Sequence, residues 1–200
     1  MVCESRCRTC IAAFFVGYEA IERISGLIIH HNRRSIRVLI FNITHGRSGT
    51  SFLAAMEMAQ AAQLKMHGRD EDPQDFFDHV IFCTNITYAE GGWKKGLISN
   101  MSPLAASNAI ICPDLTAVSV PNEELAQLGT QKELASAWLN LKPSFPSSRI
   151  HVLPTIEHAV NLVRSLESKS NDADVSVLVT GSLHLVGGLI EAASLSGVAL

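Results

Sequence analysis

The sequence VSVLVTGSLHLVGGLI, residues 175–190, decides the fold predicted for this chain. Its first half is a continuous apolar run rich in β-branched residues, which is typical of a parallel strand buried on both faces. Gly181 ends the run, and Ser182 is placed to cap the helix that follows. Such a strand, tight turn and helix directs backbone amides and the positive end of the helix dipole toward anions. The alternative is purely structural, with Gly187 and Gly188 allowing the helix to pack close to the sheet.

A second unit of the same kind lies earlier in the chain. Residues 37–44, RVLIFNIT, predict a strand, and residues 51–65 have alanine, methionine and leucine at helical spacing. The polar loop between them contains His45 and Arg47, and the arginine together with nearby backbone amides can bind carboxylate or phosphate. A solvated turn is an equally good interpretation of this loop. The spacing is not that of a P-loop, since no Gly-Lys-Ser/Thr follows.

Strands and helices alternate four times along the chain. The units cover residues 37–65, 79–141, 150–167 and 175–194. We predict an α/β fold, a Rossmann-like, mostly parallel sheet with helices on both faces. The loops at the carboxyl ends of the strands then form one edge, near Thr44, Asn85, Pro154 and Gly181. In the helix of residues 122–141, Asn122 is the predicted cap, and Thr130 caps a second piece if the helix is split.

Composition excludes several classes of protein. The 200 residues are 47% hydrophobic with a net charge of −3, which suits one globular domain and gives no general attraction to nucleic acid or anionic membranes. No apolar run approaches the ~20 residues that cross a bilayer. We therefore expect neither nucleic acid nor a membrane as partner, and a cytoplasmic location. Mitochondria are the alternative, because Arg6 and Arg8 precede an apolar run.

Residues 1–35 form a poorly defined N-terminal segment. Cys3, Cys7 and Cys10 have the Cys-x-x-x-Cys-x-x-Cys spacing by which thiolates hold an iron–sulfur cluster. That motif normally lies in a large barrel. This chain does not contain the eight strand-and-helix repeats that such a barrel needs. We interpret the cysteines as chance occurrences in an unstructured start, and no residue is predicted to be catalytic or to bind a metal.

Several blocks of the chain resemble one enzyme family. VLVTGSLHLVGGLI is very similar to the closing motif of eukaryotic folylpolyglutamate synthases, and the fungal members have counterparts of FDHVIFCTN, TQKELASAW and IHVLPTIEHAV. RVLIFN is similar to the strand that opens their C-terminal domain. The resemblance covers about residues 36–195.

The resemblance implies a Mur-ligase-like architecture, in which an ATP-binding domain with a P-loop precedes a smaller Rossmann-like C-terminal domain. The family uses ATP and magnesium to attach glutamate to the γ-carboxylate of tetrahydrofolate. This chain would correspond to the C-terminal domain, residues 36–200, with folate and glutamate as ligands of the complete enzyme. The cleft-facing loops would then supply the substrate contacts, from Thr44, His45, Arg47, Ser48, Ser182 and His184.

The chain also departs from the family pattern. It contains no P-loop, so we expect no bound cofactor and no ligase activity from this chain alone. The family's Arg-Asp pair after the first strand appears here as Arg47-Ser48. Residues 1–35 and an irregular insertion near 96–113 are interpreted as translated intron or wrongly assigned exon sequence. The alternative function is a non-catalytic folate- or anion-binding regulatory module derived from that domain.

Overall fold

The computed structural model describes the backbone of residues 9–13 and the whole of residues 35–43, 48–88, 128–169 and 174–195. Its strands are β1 Thr9–Ala13, β2 Ser35–Phe41, β3 His79–Cys83, β4 Ile150–Leu153 and β5 Asp174–Thr180. Its helices are α1 Gly49–Met66, α2 Gly129–Leu141, α3 Ile156–Lys169 and α4 Leu183–Ala192. Short 3-10 turns lie at Pro73–Asp75 and Ser147–Arg149. None of the helices in these ranges is both long and apolar enough to cross a bilayer.

The strands form a five-stranded sheet in the order β1-β5-β2-β3-β4. Every pairing is parallel, with Phe41 of β2 opposite Thr180 of β5 and Val38 opposite His79 of β3. Parallel strands need crossover connections, and from β2 to β5 the helices α1, α2 and α3 supply them. The predicted α/β class with a parallel sheet is confirmed.

Helices cover both faces of the sheet, as predicted. On one face α1 and α2 pack against alternate strand residues, including Leu39, Phe41, Val80, Phe82 and Leu178. On the other face α3 and α4 pack against the intervening residues, including Val38, Ile40, Ile81, Val177 and Val179. The continuous apolar runs noted in the sequence are therefore explained by a sheet that is buried on both sides.

The boundaries differ from the sequence predictions at several points. β1 was not among the four strands predicted, because TCIAA is short and lacks both alternation and a flanking turn signal. Cys10 lies in β1, whereas Cys3 and Cys7 lie outside the described residues, as does the insertion near 96–113. The described part of α2 begins at Gly129 with Leu128 as the N-cap, so Thr130 caps no helix.

Two side chains with potential functional chemistry, those of Trp138 and Cys83, belong to the core. Trp138 is 1% exposed and packs edge-to-face against Phe145, so it belongs to the core. Cys83 is fully buried in β3, and burial raises the pKa of its thiol to about 12. This cysteine is therefore a small hydrophobic residue rather than a nucleophile.

Lys142, just after α2, is a buried lysine that fastens this helix to the turn before β3. Its Nζ donates to the carbonyl of Pro73 at 2.5 Å and lies 4.9 Å from the centre of the Trp138 ring. Gln60 also donates to that carbonyl. Lys142→Met keeps the buried volume and leaves the carbonyl with one donor, so we expect a change within about 1 kcal/mol, whereas Lys142→Ala leaves a cavity that costs about 2–4 kcal/mol. Urea unfolding of both variants measures the difference, and equal losses would contradict this packing role.

His79 and His151, on neighbouring strands β3 and β4, make folding sensitive to acid. Burial lowers the pKa of both imidazoles below 6.5; Asp78 opposes this for His79, while Arg149 adds to it. Below pH 6.5 the unfolded chain therefore binds protons that the folded chain does not, and the free energy of unfolding falls as the pH decreases. We expect urea midpoints to decrease from pH 7 to 5, and the decrease to be smaller in the His79→Gln, His151→Gln double variant. An unchanged pH slope in that variant would contradict the assignment.

Candidate functional site

The candidate site lies where β2 and β5 end, at the carboxyl edge of the sheet. These strands are neighbours, yet the helices that follow them, α1 and α4, pack on opposite faces. The chain therefore leaves the two strand ends in opposite directions, and we call the region between the loops that follow them the crevice. In parallel α/β sheets, ligands bind in the crevice at such a switch point.

Gly181 forms the turn between β5 and the crevice. Its φ is +103°, a conformation that residues with a side chain rarely adopt. A Cβ at this position would overlap the carbonyl oxygen of Asn42 and lie 2.7 Å from Cε2 of Phe41. The tight turn predicted from the sequence is thus required by close contact between the ends of β2 and β5.

Ser182 is the N-cap residue of α4, but it does not cap the helix in the way predicted. Its side chain makes no capping hydrogen bond. The residue is 3% exposed, and its Oγ has no hydrogen-bond partner. The hydroxyl is therefore a buried donor that the described part of the fold leaves unused at the positive end of a helix.

Thr180, the last residue of β5, has a second buried hydroxyl of this kind. It is 3% exposed, and its Oγ1 has no partner. Side chains alternate along a strand, so Thr180 lies on the same face as Leu178, which packs in the core on the α1 side. Thr180 is not among the predicted site residues, although its place at the end of a buried parallel strand is a signal for an edge residue.

The other side of the crevice is the N-terminus of α1. Ser48 is its N-cap, and the Ser48 Oγ accepts from the backbone amide of Ser51 at 3.2 Å. Gly49 permits close packing, because a Cβ there would overlap the side chain of Leu134 and lie 3.1 Å from Ile43. Ser48 itself is exposed, so it is accessible to a ligand while it caps the helix.

A chain of three amide side chains lies beside these strand ends. Gln131 of α2 donates through Nε2 to Oδ1 of Asn42 at 3.2 Å, and Asn42 donates through Nδ2 to Oδ1 of Asn85 at 3.0 Å. The chain fixes the ends of β2 and β3 relative to α2. Asn42 and Asn85 follow strands and could have been found from that position, whereas no pattern in the sequence points to Gln131.

The N-terminus of α3 is closed to ligands by the chain itself. The carbonyls of Ile86 and Thr87 accept from the first amides of the helix, those of Ile156 and Glu157, at 2.8 and 2.9 Å. Thr84 Oγ1 also donates to the carbonyl of Pro154 at 2.6 Å, which brings Asn85 and Pro154 to one edge as predicted. The described helix N-termini that the chain does not close in this way include those of α1 and α4, near the ends of β2 and β5.

The structure describes three of the six predicted substrate-binding residues. Ser48 and Ser182 lie at the N-termini of α1 and α4, and His184 is exposed in the first turn of α4. Thr44, His45 and Arg47 lie outside the described residues.

Only one of the two glycines predicted to allow close packing of α4 does so. A Cβ on Gly188 would lie 2.5 Å from Ile156 and 2.9 Å from Thr87, whereas nothing lies within 4 Å of one on Gly187. The contact is made with the start of α3 and with the segment that follows β3, rather than with the sheet.

In the ranges that the structure describes, no group of three or more histidine, cysteine or carboxylate side chains could hold a metal ion. The crevice instead gathers hydroxyl groups and helix N-termini, which stabilise negative charge. The arrangement can therefore bind an oxyanion such as a carboxylate or phosphate.

The fold and the crevice place the chain in the class of Rossmann-like α/β domains whose ligands lie at a switch point of a parallel sheet. The particular resemblance is to fungal folylpolyglutamate synthases. The chain is 34% identical over 125 residues to that of Neurospora crassa, 31% over 154 residues to that of Candida albicans, and 33% over 118 residues to that of Saccharomyces cerevisiae. The family resemblance predicted from the sequence is thus confirmed.

These matches cover 61%, 77% and 59% of this chain, but only 20%, 24% and 17% of the relatives. The chain is therefore similar to a segment of these enzymes. No protein-family model matches it, and no solved structure matches it significantly.

Proposed function

We propose that this chain is the C-terminal domain of a tetrahydrofolylpolyglutamate synthase and binds a carboxylate of the folate or glutamate substrate in the crevice between β2 and β5. The proposal is supported by the similarity to fungal synthases and by the position of the crevice at the switch point of the sheet. ATP and magnesium would be held by a different part of the complete enzyme.

The observation that carries the proposal is the unused hydroxyl of Ser182. A buried polar group without a hydrogen bond costs about 1–3 kcal/mol of stability. Ser182 is 3% exposed, lacks a partner and stands at the N-terminus of α4. A carboxylate oxygen would accept from this hydroxyl and would also be stabilised by the helix dipole.

The opposite side of the crevice completes the proposed carboxylate site. Ser48 is exposed at the start of α1, and Arg47, which lies outside the described residues, precedes it in the chain. Arginine binds carboxylates through two parallel hydrogen bonds. The proposed ligand contacts are therefore made by Arg47 and Ser48 from one side and by Ser182 from the other, with His184 at the exposed rim.

We further propose that the chain does not catalyse ligation alone. Forming an acyl phosphate from ATP requires a phosphate-binding loop, metal ligands and groups that stabilise the transferred phosphoryl group. The 200 residues contain no Gly-x-x-x-x-Gly-Lys-Ser/Thr sequence. A crevice that binds one carboxylate orients a substrate, but it does not activate it.

Mass spectrometry of folates tests the proposed inactivity. Purified chain is incubated with ATP, magnesium, glutamate and tetrahydrofolate, and the expected result is no mass increase corresponding to added glutamate. A complete fungal synthase in a parallel reaction verifies the assay. Glutamate addition by the purified chain would contradict the proposed inactivity.

The alternative function is a non-catalytic folate- or anion-binding regulatory module. It is favoured by the presence of α1, α4 and both strand ends in this one chain. Thermal unfolding with folates, glutamate or nucleotides measures binding to the chain alone. A midpoint increase with folate or glutamate, without catalysis, would support a binding module, whereas no shift with any of them would contradict this alternative.

A further inference from the structure

A pair of histidines lies outside the crevice, on neighbouring strands. His79 is the first residue of β3 and His151 is the second of β4. Their rings are inclined by 30° with centroids 5.4 Å apart, and Nδ1 of His79 lies 3.2 Å from Nε2 of His151. The register pairs His151 with Ile81, so His79 lies two residues before the position opposite His151 and on the same face of the sheet.

The separation of the two nitrogens suits a pair of ligands to one metal ion. Zinc binds histidine nitrogen at about 2.0–2.1 Å in tetrahedral sites, and two nitrogens 3.2 Å apart at that bond length subtend about 100° at the metal. This angle lies between those of octahedral and tetrahedral coordination. Binding therefore needs the nitrogen lone pairs to turn toward a shared ion, but it does not need the strands to move apart.

The surroundings of the pair are compatible with metal binding. Both side chains are only partly buried, so the pair is not enclosed in the core. Burial lowers the pKa of both rings, which favours the neutral form that binds a metal ion. Asp78 and Arg149 have opposite effects on His79, so an acid beside the pair offsets the repulsion that the arginine exerts on a cation.

We propose that His79 and His151 chelate a divalent transition-metal ion, with water completing its coordination. In the free protein one of the two facing nitrogens carries the proton of the hydrogen bond between them. On binding, that proton moves to the other nitrogen of the same ring, so both facing nitrogens donate lone pairs and neither imidazole changes charge. The ion would link β3 to β4 and stabilise the folded chain, because it binds the two rings together only when these strands are paired.

Nickel, zinc and copper salts are the probes for this site. Thiols are first alkylated with iodoacetamide, because Cys3, Cys7 and Cys10 would bind these metals independently. We expect Zn²⁺ and Ni²⁺ to raise the thermal midpoint of the alkylated chain by several degrees. Electron paramagnetic resonance of the Cu²⁺ complex is expected to show coupling to two nitrogens.

Histidine variants distinguish metal binding at this site from metal binding elsewhere on the chain. His79→Gln and His151→Gln should each remove most of the midpoint increase, whereas His67→Gln, at an exposed histidine after α1, should retain it. The proposal would be overturned if the metal ions did not raise the thermal midpoint of the wild-type chain. It would also be overturned if they raised the midpoint of His79→Gln by the same amount. If the variants do not fold, the copper spectrum of the wild-type chain decides, and a spectrum without two-nitrogen coupling overturns the proposal.

Discussion

Gly181→Ala is expected to destabilise the folded chain by about 3 kcal/mol or more. Gly181 has a φ of +103°, and an added Cβ would overlap the carbonyl of Asn42, which is backbone and cannot rotate away. Strain from the dihedral angle contributes about 1–3 kcal/mol, and the steric overlap adds to it. Urea unfolding followed by circular dichroism measures this loss.

Gly187→Ala is the matched control in the helix that follows. Gly187 is exposed within α4, and an added Cβ would meet no atom within 4 Å. Alanine forms helix better than glycine by about 1 kcal/mol, so this variant should be more stable than the wild type. Similar losses in the free energy of unfolding in both variants would contradict the positive-φ turn described for Gly181 at the end of β5.

Ser182→Ala is expected to weaken ligand binding about 10- to 100-fold, because a hydrogen bond to a charged group contributes about 1.5–3 kcal/mol. The free protein should be as stable as the wild type or more so. The Oγ of Ser182 has no partner in the described fold, and removing an unsatisfied buried hydroxyl relieves its desolvation cost. Isothermal titration with glutamate and with tetrahydrofolate measures the affinity, and urea unfolding measures the stability.

Ser176→Ala is the control for this effect. Ser176 also lies on β5, is 2% exposed and has an Oγ without a partner, but it is near the start of the strand, away from the crevice. Removing the Ser176 hydroxyl should change the stability in the same direction as Ser182→Ala does. It should leave the affinity for the ligand unchanged. Equal affinity in Ser182→Ala and the wild type would show that the hydroxyl of Ser182 does not contact the ligand.

The sheet could be predicted because its strands are buried on both faces. Residues 37–41 and 175–180 are nearly continuous apolar runs, and such runs between helices indicate parallel strands. β1 was missed because it is only five residues long, includes two alanines, which are depleted in strands, and shows no alternation of apolar and polar residues. Tertiary pairing rather than local propensity thus determines that strand.

The candidate site was only partly predictable. Ser182 could be placed at the start of a helix, because it follows a strand and a glycine, and the structure confirms that position. Its failure to cap the helix depends on the orientation of one side chain, which local sequence does not determine. The contact of Gln131 with Asn42 joins residues 89 positions apart, and a single sequence has no signal for such a pair.

The most direct test of the crevice is a nuclear magnetic resonance titration of the isotopically labelled chain with glutamate and with tetrahydrofolate. We expect the amide signals that change most to belong to residues 180–186 and 48–51, at the end of β5 and the starts of α4 and α1. Signals at the start of α3 should stay unchanged, because the carbonyls of Ile86 and Thr87 already occupy its first amides. No change with either ligand, or changes centred on α3, would contradict the proposed carboxylate site.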